Sequence, residues 1–540
     1  MVIQSEHIGA STSEEKSDAL DMNNYRVEKL KQRPKSGIEK WLANGGMLIA
    51  VGIFIFIYFF ANIRFLENID PHLLKKESLD RLKELGGAGF SKINYAMLAV
   101  FAAAFVLWVT EALPNYLTSL LVILTMVLTG ITSENTAYAQ LGHPVMWLNI
   151  LSFILASMLV SNQLARRFAL WFVIHFGKNS GQLFFSFIII NLVLSVFISA
   201  TTAKATILLP IIMVISAIYG AGNGHRNNFG RNMGLQNLFQ ITVGASGFIT
   251  GSGANLLAGS LLAGALGEKM FGFQNWFLAA FPLSIILIMA GWLVGTKILF
   301  PIKGAAQYPT ISGGLERLKK EYASLGKMTG NEFKSIAIFG AVLLLWVTDK
   351  QHGISQTVVA LMGAIVALLP RIGVVKWNEV DIPWHLMIFS AGAYALGVGL
   401  DTTGLPALMI DALFSVLHIS TTTPFWVLYL GLTFIMLFSA ALFQSKTMRA
   451  LIFIPIAIGI AQKFHYPLLS LAFPAALLIE HVYVFPFNSK PAALLYATDQ
   501  YSITDSMKFG FTMMLLTWIM IIVWGETVLK YLGYTPGGIF

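Results

Sequence analysis

The apolar positions of this chain run in long stretches broken by short polar patches, and the most telling break is Ser199-Ala200-Thr201-Thr202-Ala203-Lys204. It lies between two apolar runs, Leu183 to Ile198 and Ala205 to Tyr219. A membrane span takes about 20 apolar residues, so the two runs together are too long for one and each alone is short. The pattern predicts a broken helix. Irregular backbone at membrane depth has to line a cavity or be buried in protein, and a lysine there is costly enough to mark a functional place. The design returns 245 residues on, where Pro424 to Phe443 is apolar, Gln444-Ser445-Lys446-Thr447-Met448-Arg449 is polar, and the apolar run resumes at Ala450. A proline follows six residues after the cation in both copies, Pro210 after Lys204 and Pro455 after Arg449. Matched, interrupted apolar segments in two halves of a chain point to the binding site of a repeat-built secondary transporter.

The rest of the pattern fits around that pair. Residues 1–45 are polar with mixed charge, as in a disordered cytoplasmic N-terminus, and lack the apolar core of a signal peptide. Residues 46–94 hold a first span, Met47 to Ile63, and a surface helix marked by leucines 73, 74, 79, 82 and 85. A first repeat is expected over 95–301, a cytoplasmic linker over 302–335, a second repeat over 336–532 and a tail over 533–540. Leu107-Trp108-Val109-Thr110-Glu111 returns as Leu345-Trp346-Val347-Thr348-Asp349, and Pro144 before Trp147 to Val160 corresponds to Pro383 before Trp384 to Val398. The near-constant offset marks an internal repeat. Each Pro-headed segment carries Ser or Gly midway (Ser152 and Ser157; Ser390, Gly392 and Gly397), a pattern open to a re-entrant hairpin or to an ordinary span. The expectation is an all-α polytopic membrane protein, with about 11 transmembrane helices plus two re-entrant hairpins in two inverted repeats.

Composition agrees, at 56% hydrophobic and 12% charged with a mean hydropathy of +0.70, far from a soluble chain. The net charge of +9 comes largely from two basic segments, Arg26 to Lys40 and Lys303 to Lys334, where the positive-inside rule places cytoplasmic cations. That puts the N-terminus in the cytoplasm and removes nucleic acid as a partner. The chain has no cysteine, which excludes disulfides and thiolate chemistry. No His-Glu-x-x-His spacing occurs, and Gly220 to Gly224 lacks the Gly-Lys-Ser/Thr ending of a phosphate loop. No enzyme chemistry, cofactor or metal cluster is expected.

Trp108-Val109-Thr110-Glu111-Ala112-Leu113-Pro114, with Asp401-Thr402-Thr403-Gly404-Leu405, resembles the divalent anion/sodium symporter family, over roughly residues 95 to 532. The resemblance implies carriage of dicarboxylates, citrate or sulfate by a homodimer, through an elevator motion; the lack of a transit-like start gives a bacterial plasma membrane as the expected location. It also implies two Ser-Asn-Thr-like triplets and two Thr-Pro-Pro-Asn-like turns that hold substrate and sodium. Counting back from the prolines places the triplets at Ala200-Thr201-Thr202 and Ser445-Lys446-Thr447, and the turns at Ser252-Gly253-Ala254-Asn255 and Ser489-Lys490-Pro491-Ala492. Sliding the first triplet by one residue gives Ser199-Ala200-Thr201.

The departures from that pattern shape the expected mechanism. A lysine ammonium beside a sodium ion is repelled by about 4 kcal/mol at an effective dielectric near 20, so Lys446 and Lys490 argue against sodium in the second half. Sodium candidates remain in the first: Ser199, Thr201, Ser252 and Asn255. Lys204 and Arg449 resemble the cations of sodium-independent exchangers in the family, so sodium-independent anion exchange is the leading expectation and sodium- or proton-coupled symport the alternative. The anion is expected to meet Lys204, Lys446 and Arg449, with Thr201, Thr202, Ser252, Asn255, Ser445, Thr447, Ser489 and Lys490 around it. Snorkelling or pairing with an acid is the other reading of the cations, with Glu480 a partner for Lys490. Glu480-His481 is a further candidate as a proton relay. Glu111 and Asp349 are read as helix caps, with proton coupling as the alternative.

Overall fold

A computed structural model describes residues 37–540 except 111, 222–224, 268–270, 310–313, 417–422, 442 and 444. Most of the expected N-terminal tail, and Glu111, lie outside the described residues. The ordered chain is helical, in line with the apolar runs. Helix α1 (Gly37–Ile55) is followed by α2 (Lys76–Thr110), α3 (Asn115–Leu128), α4 (Pro144–Ser161) and α5 (Leu164–Phe176). Then come α6 (Ser180–Phe197), α7 (Thr201–Ile218), α8 (Asn228–Ser246), α9 (Gly253–Leu266) and α10 (Phe273–Leu293). After the linker helix α11 (Gly314–Ser324) the second half has α12 (Gly330–Val347), α13 (Gln356–Leu368), α14 (Trp384–Thr403) and α15 (Leu405–Val416). It closes with α16 (Phe425–Phe438), α17 (Lys446–Lys463), α18 (Leu469–Leu477), α19 (Lys490–Tyr496) and α20 (Ile503–Glu526). Eight helices among the described residues are long and apolar enough to cross a membrane, and five shorter apolar helices accompany them.

Near the start, one expectation shifts. Helix α1 begins at Gly37, so residues 37–45 are helix rather than tail. The expected surface helix and the span after it both lie within α2 as two helical stretches that meet at Gly86, where the backbone leaves the helix with a φ of +67° that glycine adopts at little cost.

The larger correction concerns the interrupted segments. Between α6 and α7 the backbone at Ile198 and Ala200 is extended, and Lys204 Nζ bonds Ser195 Oγ at 2.9 Å. Along one continuing helix those residues would stand ~13 Å apart in rise. In the second half Arg449 donates to the Met436 carbonyl, 13 positions back, which a continuing helix would put ~20 Å away. The chain therefore doubles back at both breaks. The hairpins are α6–α7 and α16–α17, and the segments after Pro144 and Pro383 are unbroken helices. The small residues midway along them serve packing and bonding. Ser157 Oγ accepts the Asp381 amide at 3.1 Å, and a side chain at Gly392 would overlap Ser119 where α14 lies on α3.

The true interrupted helices are α8–α9, joined by Gly247 to Ser252, and α18–α19, joined by residues 478–489. Each half thus supplies one hairpin and one interrupted helix. The second part of each interrupted helix packs against the other half's hairpin, α9 on α17 and α19 on α7. Buried apolar side chains form two clusters. The larger runs from α4 to the C-terminus, and the smaller joins α2, α3, α14 and α15.

Linker and first half are tied by charge. Arg167 of α5 meets Glu332 at 2.5 Å and donates to the carbonyls of Gly326 and Leu325, both at 2.8 Å. Glu332 is also the third residue of the Thr329 capping box that starts α12. With the pair's side chains only 10% and 2% exposed, removing one charge strands the other. Glu332→Gln is expected to destabilise the fold by about 3–5 kcal/mol, visible as a lower melting temperature in detergent.

Candidate functional site

Three helix starts meet in the middle of the molecule: α7 at Thr201, α9 at its N-cap Ser252, and α17 at its N-cap Ser445. Side chains stitch them together. Lys446 Nζ, on α17, reaches Thr201 Oγ1 of the first half at 3.3 Å and Glu480 Oε2 at 2.7 Å. The other oxygen of Glu480 accepts from Ser252 Oγ. Glu480 is fully buried, whereas the Lys446 side chain keeps 19% of its exposure. A carboxylate held by an ammonium and a hydroxyl at the start of a helix is the arrangement expected of a bound anion. Here the anion belongs to the protein.

The two cations singled out by the broken segments do a different job. Lys204 is wholly buried and donates to Ser195 Oγ and to the Ile241 carbonyl at 3.4 Å. Arg449 is wholly buried as well. Its guanidinium donates to Ser439 Oγ at 3.2 Å, to the carbonyls of Ile479 at 2.9 Å and Leu478 at 3.3 Å, and to Met436. Both side chains bridge the two arms of their own hairpin and tie it to the neighbouring interrupted helix. Direct anion contact was expected of them; in this structure their donors point to protein acceptors.

Other expected members divide by surroundings. Thr202, Ser445 and Thr447 are half-buried around Lys446. Ser489 caps α19 and donates to the Val482 carbonyl at 3.2 Å. Lys490 is exposed and has no ion pair among the described residues, so Glu480 is not its partner. His481 is buried with Nδ1 3.2 Å from the Tyr483 hydroxyl, away from any relay through Glu480. Asp349 is a cap, but of α10, accepting the Phe273 amide at 3.0 Å.

Of the sodium candidates, Thr201 and Ser252 are engaged by Lys446 and Glu480, while Asn255 Nδ2 closes the end of α8 through the carbonyls of Ala245 and Phe248. Ser199, at the hairpin tip, is different. Its Oγ has no partner, and neither do Ser152 Oγ of α4 and Thr250 Oγ1 of the α8–α9 joint. All three line one cavity of about 10 Å³, room for a single water-sized guest. The Asn255 Oδ1 oxygen is likewise buried and unpartnered. Buried polar oxygens left without partners call for an occupant. The tip position of Ser199-Ala200-Thr201 also makes the shifted triplet the one that sits where the chain turns.

Glu480, Ser152 and Thr250 were not singled out as site members. The available signal for Glu480 was isolation: it is the one acid between Asp411 and Asp499. Ser152 and Thr250 carried none, since their role depends on which helices meet.

A helical membrane protein built from paired hairpins and interrupted helices, with polar groups gathered where they meet, belongs to the class of secondary transporters. The family described as the sodium:sulfate symporter transmembrane region matches residues 87–535, and this chain belongs to it. It is a multi-pass transporter rather than an enzyme. Similar proteins include the sodium-dependent dicarboxylate transporter SdcS of Staphylococcus saprophyticus, 26% identical over 462 residues, covering 80% of this chain and 87% of that protein. The sodium-dependent high-affinity dicarboxylate transporter 3 of Caenorhabditis elegans is 24% identical over 75% of this chain and 78% of its own length. SdcS of Staphylococcus aureus is 24% identical over 77% and 82%.

The clamp role of Arg449 has a measurable consequence. Arg449→Lys keeps the charge but loses the planar fork that serves several acceptors at once. It is expected to lower the melting temperature of the purified protein by several degrees, each carbonyl left unpaired costing about 1–3 kcal/mol.

Proposed function

We propose that this chain is a secondary transporter of small dianions of the dicarboxylate class in a plasma membrane, coupled to sodium. The names of its relatives support sodium coupling, and one observation of this structure carries it: the unpartnered oxygens of Ser152, Ser199 and Thr250 around a cavity of about 10 Å³. Sodium would be held there, in the first half. In the second half the Lys446 ammonium stands where a second coupling ion would otherwise neutralise the substrate, beside Glu480 and Thr201. The substrate's carboxylates would meet Lys446 and the starts of α7 and α17, lined by Thr202, Ser445 and Thr447.

A second reading is sodium-independent exchange, favoured by the same Lys446–Glu480 pair, since a tethered cation needs no ion to be recruited. Uptake of labelled succinate into proteoliposomes separates the two. An inward sodium gradient is expected to drive uptake with a Hill coefficient for sodium of about one, and Ser199→Ala or Thr250→Val to raise half-saturating sodium about tenfold. Uptake driven by internal unlabelled succinate and indifferent to sodium would select exchange instead.

A further inference from the structure

Glu480 is fully buried and faces an unequal number of opposite charges. Lys446 touches it at 2.7 Å. Arg449, three residues further along α17, bonds the carbonyls of Ile479 and Leu478 immediately before it, and Lys204 of α7, its ammonium on Ser195 Oγ and the Ile241 carbonyl, adds a positive charge within electrostatic reach from the other half. From α9 comes only the neutral Ser252. From its own segment, the α18–α19 joint, His481 turns to the Tyr483 hydroxyl. Three cations and one carboxylate leave two positive charges in excess. Among the described residues no second acid offsets Lys204, Lys446 or Arg449. An excess of two is what a dianion cancels. Buried charge left uncancelled is costly in a low-dielectric setting, so the number matters more here than at a surface.

Resting on the anion-transport reading above, we propose that Glu480 is the residue that sets the charge of the accepted anion: it cancels one of the three cations around it and holds Lys446 until a substrate carboxylate takes its place. With Glu480 present a divalent anion balances the site. Without it a trivalent one does.

The test is calorimetric binding of succinate and of propane-1,2,3-tricarboxylate to the purified full chain in sodium-containing buffer, at a pH where both are fully ionised. Wild type is expected to prefer the dianion. Glu480→Gln is expected to move the ratio of affinities about tenfold toward the trianion, while Glu480→Asp, which keeps the charge, leaves the ratio with the dianion. Replacing both partners, Glu480→Gln with Lys446→Gln, restores an excess of two charges and is expected to return the ratio toward the dianion. A ratio unmoved by Glu480→Gln, or a double variant as shifted as the single one, overturns the proposal. If neither wild type nor Glu480→Gln binds either anion, the transport reading and this proposal fall together; if both bind with one ratio, this proposal falls alone. Should Glu480→Gln not purify folded, the double variant decides, because it removes both members of the Lys446–Glu480 pair and leaves neither without its partner: a dianion preference supports the proposal and its loss overturns it.

Discussion

At the depth of a bilayer core every backbone polar group has to find a partner within the protein, because an unpaired carbonyl or amide there costs several kcal/mol. This fold breaks its helices in the middle and so exposes many such groups. Lys204 and Arg449 answer that cost. Arg449 satisfies Met436, Leu478 and Ile479 at once, and Lys204 serves Ile241 in the matching place. Ser195 and Ser439 hold the same cations from the opposite arm, so each break has one cation and one serine. The central site exists because the breaks are stable, and the breaks are stable because these cations are buried and bonded.

Charge is arranged on the same plan. The two clamps bond only neutral acceptors, whereas Lys446 meets a carboxylate and retains some exposure. Of these three cations it is the one that is not wholly enclosed. Its bonds to Thr201 and Glu480 also join the halves. The unpartnered oxygens of Ser152, Ser199 and Thr250 stand apart from both ammonium groups, since Lys446 is directed to the carboxylate and Lys204 to Ser195.

Much of this was legible in the chain. Paired polar breaks followed by Pro210 and Pro455 located the two places where the chain leaves the helix, though they were read as broken helices and the hairpins were sought after Pro144 and Pro383, and the constant offset of Trp108 and Trp346 pointed to the repeat. The direction of the chain through each break was not legible, because an apolar run followed by a short polar patch reads alike in a broken helix and in a hairpin. The bonds from Lys204 to Ser195 and from Arg449 to Met436 settle it. The same reason hid the small cavity whose hydroxyls come from α4, the hairpin tip and the α8–α9 joint. Cations were legible as important and misread in role: sequence tells that Arg449 is buried at a break, but not whether its donors face inward to carbonyls or outward to a ligand. Asp349 shows the reverse case, a cap by type whose target helix, α10, lies far along the chain.

The clamps also limit how the protein can move. Parting the two arms of a hairpin would pull Arg449 from Ser439 and Met436, or Lys204 from Ser195, while detaching the hairpin from its interrupted helix would break the bonds to Leu478 and Ile479, or to Ile241. Each hairpin is therefore bonded into one unit with its neighbouring interrupted helix, and a motion of either that left the other behind would have to give up those bonds.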